Sequence, residues 1–178
     1  MRQSDRVEHA FSAITSVHVN NNISTTRETD WLSALRRYLI ATGILNLLWE
    51  FAHMPLYTVW TTGTRGEIVF AAVHCTGGDI LIALAALAAA LVIFGKRRWP
   101  GERFVEVYGA ALVIGILYTA FSEWLNIEVR ASWEYSEAMP VVPIINMGLS
   151  PLLQWIVIPT VAFYWASRPV LSNRAYST

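Results

Sequence analysis

Two residues that can exchange a proton or hold a metal, Glu50 and His53, stand three apart inside the apolar run NLLWEFAHMPLY, residues 46–57. On a helix that spacing projects both side chains to one side. At about 100° per residue, Asn46, Glu50, His53 and Tyr57 fall within an arc of about 60° and form one polar stripe. Glu-x-x-His is also the ligand spacing of carboxylate di-metal sites in helical bundles. That full pattern needs a second such pair and two more carboxylates, and one pair is present. A simpler zinc or iron site would draw on Glu50, His53, His74 and Glu123 as ligands, with Asp79 also in reach. His53 and His74 also offer an axial pair for haem, although neighbouring carboxylates disfavour a haem pocket. Without a metal, Glu50 and Glu123 are the candidate catalytic groups. Desolvation tunes a carboxyl toward acid or base work near neutrality.

Further polar residues repeat the pattern. Thr119, Glu123, Asn126 and Arg130 share one helical face, and Asn146, Ser150 and Gln154 recur at four-residue spacing. His74 and Asp79 lie about 140° apart on an ideal helix, with Gly77-Gly78 between them as a place for local unwinding. Asn46, Tyr57, Asp79, Asn126 and Gln154 are therefore the expected lining of a ligand pocket. In the plainer reading, Asn46, Asn146, Ser150 and Gln154 only join helices, and Glu123 forms a structural ion pair with Arg130.

The elements that must position these groups are long and apolar. The chain has 178 residues, 54% of them hydrophobic and 15% charged, and its mean hydropathy is +0.41. Four segments, about 36–60, 67–94, 104–126 and 141–166, are long enough to span a bilayer as helices. Short connections predict an all-α, four-helix, up-down membrane bundle within residues 31–168. Pro55, Pro143 and Pro151 are the expected bends. Residues 1–30 form a polar arm, not read as a signal peptide, in which VEHAFSAITSV suggests an amphipathic helix and Asp30 a cap. Residues 169–178 form a tail.

Charge orients the bundle. Arg36, Arg37, Lys96, Arg97, Arg98, Arg103, Arg168 and Arg174 fall on one side, against Arg65 and Arg130 on the other. The excess predicts that side, with both termini, to be cytoplasmic. Trp60 then marks the outer boundary, with Glu50 ~15 Å beneath it. All the deep ionisable residues fall in the outer half. An Asp at a helix centre costs about 2.5–3.5 kcal/mol even on lenient scales. Groups so costly must converge, which predicts a polar pocket open to the outside. Zero net charge excludes nucleic acid as an obvious partner. Cys75, the single cysteine, is expected to pack.

The strings NLLWEFAHMPLY, HCTGGD, YTAFSEWLN, ASWEYSEAMP and GLSPLLQW resemble those of small four-span bacterial inner-membrane proteins, across roughly residues 36–166. The resemblance implies a multi-pass inner-membrane protein and brings no activity with it. Two functions are expected. One is a pocket for a metal or a lipid-soluble ligand, which in the catalytic version makes the protein a membrane-embedded enzyme. The alternative is an accessory subunit of a larger respiratory or photosynthetic complex, its polar residues structural or touching a neighbour's cofactor. The expected partners are the bilayer and either other membrane proteins or further copies of this chain.

Overall fold

The computed structural model describes residues 31–168. The polar arm, Asp30 and the tail lie outside those residues. Four described helices are long and apolar enough to cross a membrane: α1 (Trp31–Leu56), α3 (Arg65–Phe94), the span Phe104–Val129 and α5 (Leu149–Ser167). A short helix α2 (Val59–Thr62) follows α1. The third span consists of α4 (Phe104–Trp124) and a final π turn, Leu125–Val129. The architecture is an all-α bundle.

Local chemistry sets most helix ends. Pro55 lacks the amide that would continue α1, so the chain tightens into a 3-10 turn at Met54–Leu56 and leaves as extended backbone at Tyr57. The expected span 36–60 therefore starts earlier and stops sooner, and Trp60 sits on separate helix α2. A depth ruler from Trp60 to Glu50 does not run along one helix axis. At the start of α3, Thr64 and Glu67 form a reciprocal capping box. The Thr64 hydroxyl accepts from the Glu67 amide (3.3 Å), and the Glu67 carboxylate accepts from the Thr64 amide (2.7 Å). From there α3 runs unbroken through Gly77-Gly78, without the unwinding that the pair would permit. Its Ala- and Leu-rich inner turns favour helix strongly enough to carry the two glycines.

The fourth span departs most from expectation. Residues 141–148 are not helical. Val141–Val142 (β1) pairs antiparallel with Met147–Gly148 (β2), in the register Val141↔Gly148 and Val142↔Met147. Asn146 turns the hairpin with φ of 46°, and its amide donates to Glu128 Oε1 at 2.8 Å. Such backbone suits Asn better than most residues. Helix α5 begins at Leu149, so Pro143 lies in the hairpin loop and Pro151 in the first helical turn. The proline inside α5 is Pro159.

Contacts between helices run in opposite order. Asn46 and His53 of α1 meet Gln154 and Ser150 of α5. Tyr38 of α1 reaches Ala83 of α3, whereas Gly43 approaches Ile80. Tyr108 of α4 meets Thr160, and Gly115 of α4 lies beneath the Trp155 ring. Neighbours thus alternate in direction. Arg37, the 95–103 connection and Arg168 share one end, where an Arg37 amine donates to the Arg168 carbonyl at 2.7 Å.

Each helix buries a single stripe. On α4 it reads Val107, Ala111, Gly115, Thr119, Glu123 at strict four-residue spacing. The opposite faces stay bare: Phe70 and Leu81 are each 69% exposed and Val92 is 87% exposed. Apolar surface of that extent belongs against lipid rather than water. At the Arg-rich end the core is small and aromatic. Ala83, Ala86, Ala90 and Ala162 let backbones approach. Phe163 meets Tyr38, Phe104 and Tyr108 edge-on at 4.8–5.9 Å.

Candidate functional site

Toward the hairpin end, the buried stripes change from Ala and aromatic residues to polar ones. Asn46, Glu50, His53, Thr119, Glu123, Ser150 and Gln154 are all buried. The centre is the Gln154 amide nitrogen. It lies 2.9 Å from Asn46 Oδ1, 2.9 Å from Glu50 Oε1 and 3.0 Å from Asp79 Oδ2. That joins α1, α3 and α5 through one group, and it turns Asp79 into the bundle. Three surrounding oxygens also fix which way the amide points, because reversal would set oxygen against oxygen. An amide nitrogen carries two hydrogens. The cluster therefore holds one acceptor more than Gln154 can serve.

From Glu50 the network continues along α1 to α5. Glu50 Oε2 lies 3.1 Å from His53 Nε2, and His53 Nδ1 lies 3.0 Å from Ser150 Oγ. Trp49 Nε1 donates to the same Ser150 oxygen at 3.2 Å. The direction of each bond follows. Trp49 can only donate, so Ser150 accepts from it. A carboxylate can only accept, so His53 donates from Nε2 to Glu50. A ring with one proton then leaves Nδ1 to accept from Ser150. Two further bonds stay within single helices: Asn46 to the Thr42 carbonyl, and Asn126 to the Ser122 carbonyl, each at 2.8 Å.

Glu123 belongs to a second group nearer the hairpin. Tyr135 donates its hydroxyl proton to Glu123 Oε2, and the phenol oxygen in turn accepts from the Gly148 amide at 2.9 Å. Gly148 is needed there, since a Cβ would come within 3.0 Å of both the Tyr135 ring and Met139. Burial raises the pKa of the Tyr135 phenol above its usual value, and the Glu123 charge adds to the rise. The phenol therefore stays a proton donor. Tyr57 stands between the two groups, its ring 5.2 Å from His53 and 5.5 Å from Tyr135. Backbone bonds from Thr58 to Glu134 (3.0 Å) and from Ser136 to Leu56 (2.9 Å) lace the loop to the end of α1. With Tyr135 they hold it as a cover over the polar end.

Beside these groups lies a cavity of about 750 Å³. Its polar wall includes Glu50, His53, Asp79 and Glu123. Its apolar wall, further toward the Arg-rich end, includes Ile82, Ala86, Ala89 and Ile114. Leu81 and Tyr118 also line it while being 69% and 51% exposed on the outer surface of the bundle. The cavity therefore opens sideways, between helices, at the depth of the spans. Arg130 and Trp133 line the end nearest the outer loop.

Sequence-predicted residues divide clearly. Asn46, Glu50, His53, Asp79 and Gln154 form one hydrogen-bonded cluster, while Tyr57, Glu123 and Asn126 line the cavity beside it. His74 lines the cavity but stays exposed, stacked on Phe70 at 5.4 Å and outside the cluster. Among the described residues, no three His, Cys, Asp or Glu side chains are placed to hold a metal ion together. Glu123 takes its partner from Tyr135, and its expected ion pair with Arg130 is not formed among the described residues. Asn146 lies apart, in the hairpin. Cys75 is half-buried on the cavity wall. The sequence reading missed Trp49 and Trp155. Trp49 falls off the polar stripe by one position, and Trp155 is admitted by a glycine on another helix, which no single-helix pattern reveals.

Comparison of the chain with protein-family models, with curated proteins and with solved structures finds no match. The kinship with bacterial inner-membrane proteins expected from short strings gains no support there. What stands is a multi-span helical bundle consistent with membrane embedding, with a buried polar hydrogen-bond network inside it.

Proposed function

We propose that the cavity binds an amphiphilic, lipid-soluble ligand, its polar head against Glu50, His53, Asp79 and Gln154 and its apolar part along Ile82, Ala86, Ala89 and Ile114. The observation that carries this reading is the cavity's division into a hydrogen-bonding end and an aliphatic end, with a sideways opening toward lipid. A ligand dissolved in the bilayer would enter without crossing water. In a catalytic version, Glu50 and His53 would exchange a proton with the head group, and Glu123 would serve as a second acid or base held by Tyr135. A transition metal on Glu50, His53, His74 and Glu123 is the weaker reading, because His74 and Glu123 each stand apart from the Glu50–His53 pair. The excess of Lys and Arg at one end supports an orientation with both termini cytoplasmic and the hairpin facing outward, and a bacterial inner membrane is the proposed location.

The test is ligand capture. Protein purified in lipid nanodiscs is to be extracted and its bound amphiphiles identified by mass spectrometry. Ala89→Phe fills the aliphatic end, and Glu50→Gln alters the polar end. Each should reduce the captured amphiphile by about tenfold at unchanged helix content. Equal capture by wild type and both variants would overturn the proposal.

A further inference from the structure

We infer that the head group of the ligand is a cation, and that the site selects lipid-soluble amines over neutral or anionic amphiphiles of the same length. This rests on the cavity being a ligand site, and it goes on to name the chemical class.

Charge supplies the first observation. Three carboxyl groups, Glu50 on α1, Asp79 on α3 and Glu123 on α4, line one cavity. The Lys or Arg ion pairs formed among the described residues are Arg98 with Glu102 and Arg103 with Glu106, whereas Glu50 has the His53 ring at 3.1 Å. None brings a Lys or Arg to these carboxyls. Arg130 lines the cavity only near the outer loop and is exposed. Acidic groups gathered at this depth without a fixed cation are costly as anions, so they either hold protons or take their positive charge from what binds beside them.

Hydrogen-bond supply gives the second. The oxygens around Gln154 already exceed the hydrogens that it offers. In addition, Thr119 Oγ1 is buried without a partner among the described residues, one turn below Glu123, and Thr119 lines the same cavity. Thr119 is only 7% exposed. A helical Thr usually bonds back to its own helix, as Thr76 does to Ala72 at 2.8 Å. Of the other buried atoms without a partner among the described residues, Thr42 Oγ1 and Trp99 Nε1 lie away from the cavity, and Trp133 Nε1, a donor, lines it at the outer-loop end beside Arg130.

An alkylammonium head answers both. It brings one positive charge and three donors with no acceptor, which matches a site rich in oxygen and poor in hydrogen. A hydroxyl head brings one donor and no charge. A carboxylate head would add a fourth acid. Tyr57 and Trp155 also line the cavity, and aromatic rings favour a cation over an anion. Behind the head, the aliphatic end takes the chain.

The experiment compares dodecylamine, dodecanol and dodecanoate on the full chain in zwitterionic nanodiscs, with empty discs as the blank. Tryptophan fluorescence reports binding, since Trp133 and Trp155 line the cavity. The amine should bind at least about tenfold more tightly than the alcohol, and the alkanoate should be weakest. Asp79→Asn should remove most of that preference, the amine losing about tenfold more affinity than dodecanol does. Thr119→Val is the second variant, a near-isosteric change that should weaken the amine by about threefold without disturbing the acidic cluster. Equal affinity for amine and alcohol, or tighter binding of the alkanoate, would overturn the cationic head and leave the amphiphile site standing. Failure of all three probes would overturn both.

Discussion

The two ends of this bundle solve burial in different ways. At the Arg-rich end, Phe163, Tyr38 and Tyr108 interlock edge to face while Ala83, Ala90 and Ala162 let helices close up. At the hairpin end, Gln154, Glu50, His53 and Asp79 hold the same helices by hydrogen bonds around a cavity. In lipid, apolar packing gains little from the hydrophobic effect, so close fit must do the work at the first end. Polar contacts hold the second end and tolerate empty volume beside them, because they are directional and do not need dense packing. A ligand site belongs where space is tolerated.

The contrast can be broken from either side. The largest effect is expected for Gln154→Leu, which leaves Asn46 Oδ1, Glu50 Oε1 and Asp79 Oδ2 without the amide that they share. Loss of one partner in such a buried cluster costs about 3–5 kcal/mol. Denaturant titration of the purified protein in micelles would measure it, and adding Asp79→Asn to the same chain should recover part of the loss. A cost of less than about 1 kcal/mol would mean that packing, not polarity, holds this end. Next is Gly115→Ala, at the boundary between the halves. The added methyl meets the Trp155 ring, and overpacking of this kind costs about 1–3 kcal/mol. Unchanged thermal stability would show that α4 and α5 can slide apart freely.

Tyr135→Phe sharpens the comparison at the cover. It removes the bond to Glu123 and strands the Gly148 amide, for about 1–2 kcal/mol. The pH dependence has a definite sign. The phenol is harder to deprotonate in the folded state than the usual 10.0, so the fold favours the protonated form. Its contribution is complete below about pH 10 and is lost as pH rises through the higher folded value. Wild-type stability should therefore fall above about pH 10, with a slope that Tyr135→Phe reduces. Thermal melts across alkaline buffers would show it. The smallest effect is expected for Tyr38→Phe in the aromatic end. Its hydroxyl makes only a 3.4 Å contact with the Ala83 carbonyl, so about 0.5 kcal/mol is expected.

Much of this was legible in the chain. Spacing along 46–57 put Asn46, Glu50, His53 and Tyr57 on one face, and all four are buried. Spacing along 119–126 did the same for Thr119 and Glu123. Where the reading slipped, two local causes explain it. Pro55 ended α1 and moved Trp60 to another helix. Residues 141–148 are apolar enough to pass for a span, yet the turn at Asn146 and the cross-strand pairing make them a hairpin. Hydropathy counts transfer cost and is indifferent to which backbone bonds are made.

Within a single helix, residue order determined which side chains share a face, because rise and twist per residue are constants of the helix. It also determined that acids and histidines cluster toward one end of the spans. Which carboxyl meets which amide was decided only when the helices packed. Asp79 shows the difference: ideal geometry sets it about 140° from His74, and the tertiary fold turned Asp79 to Gln154 while leaving His74 on the exposed face. Rotation of one helix about its own axis is free until neighbours fix it, so the partners across the bundle are a property of the packed assembly.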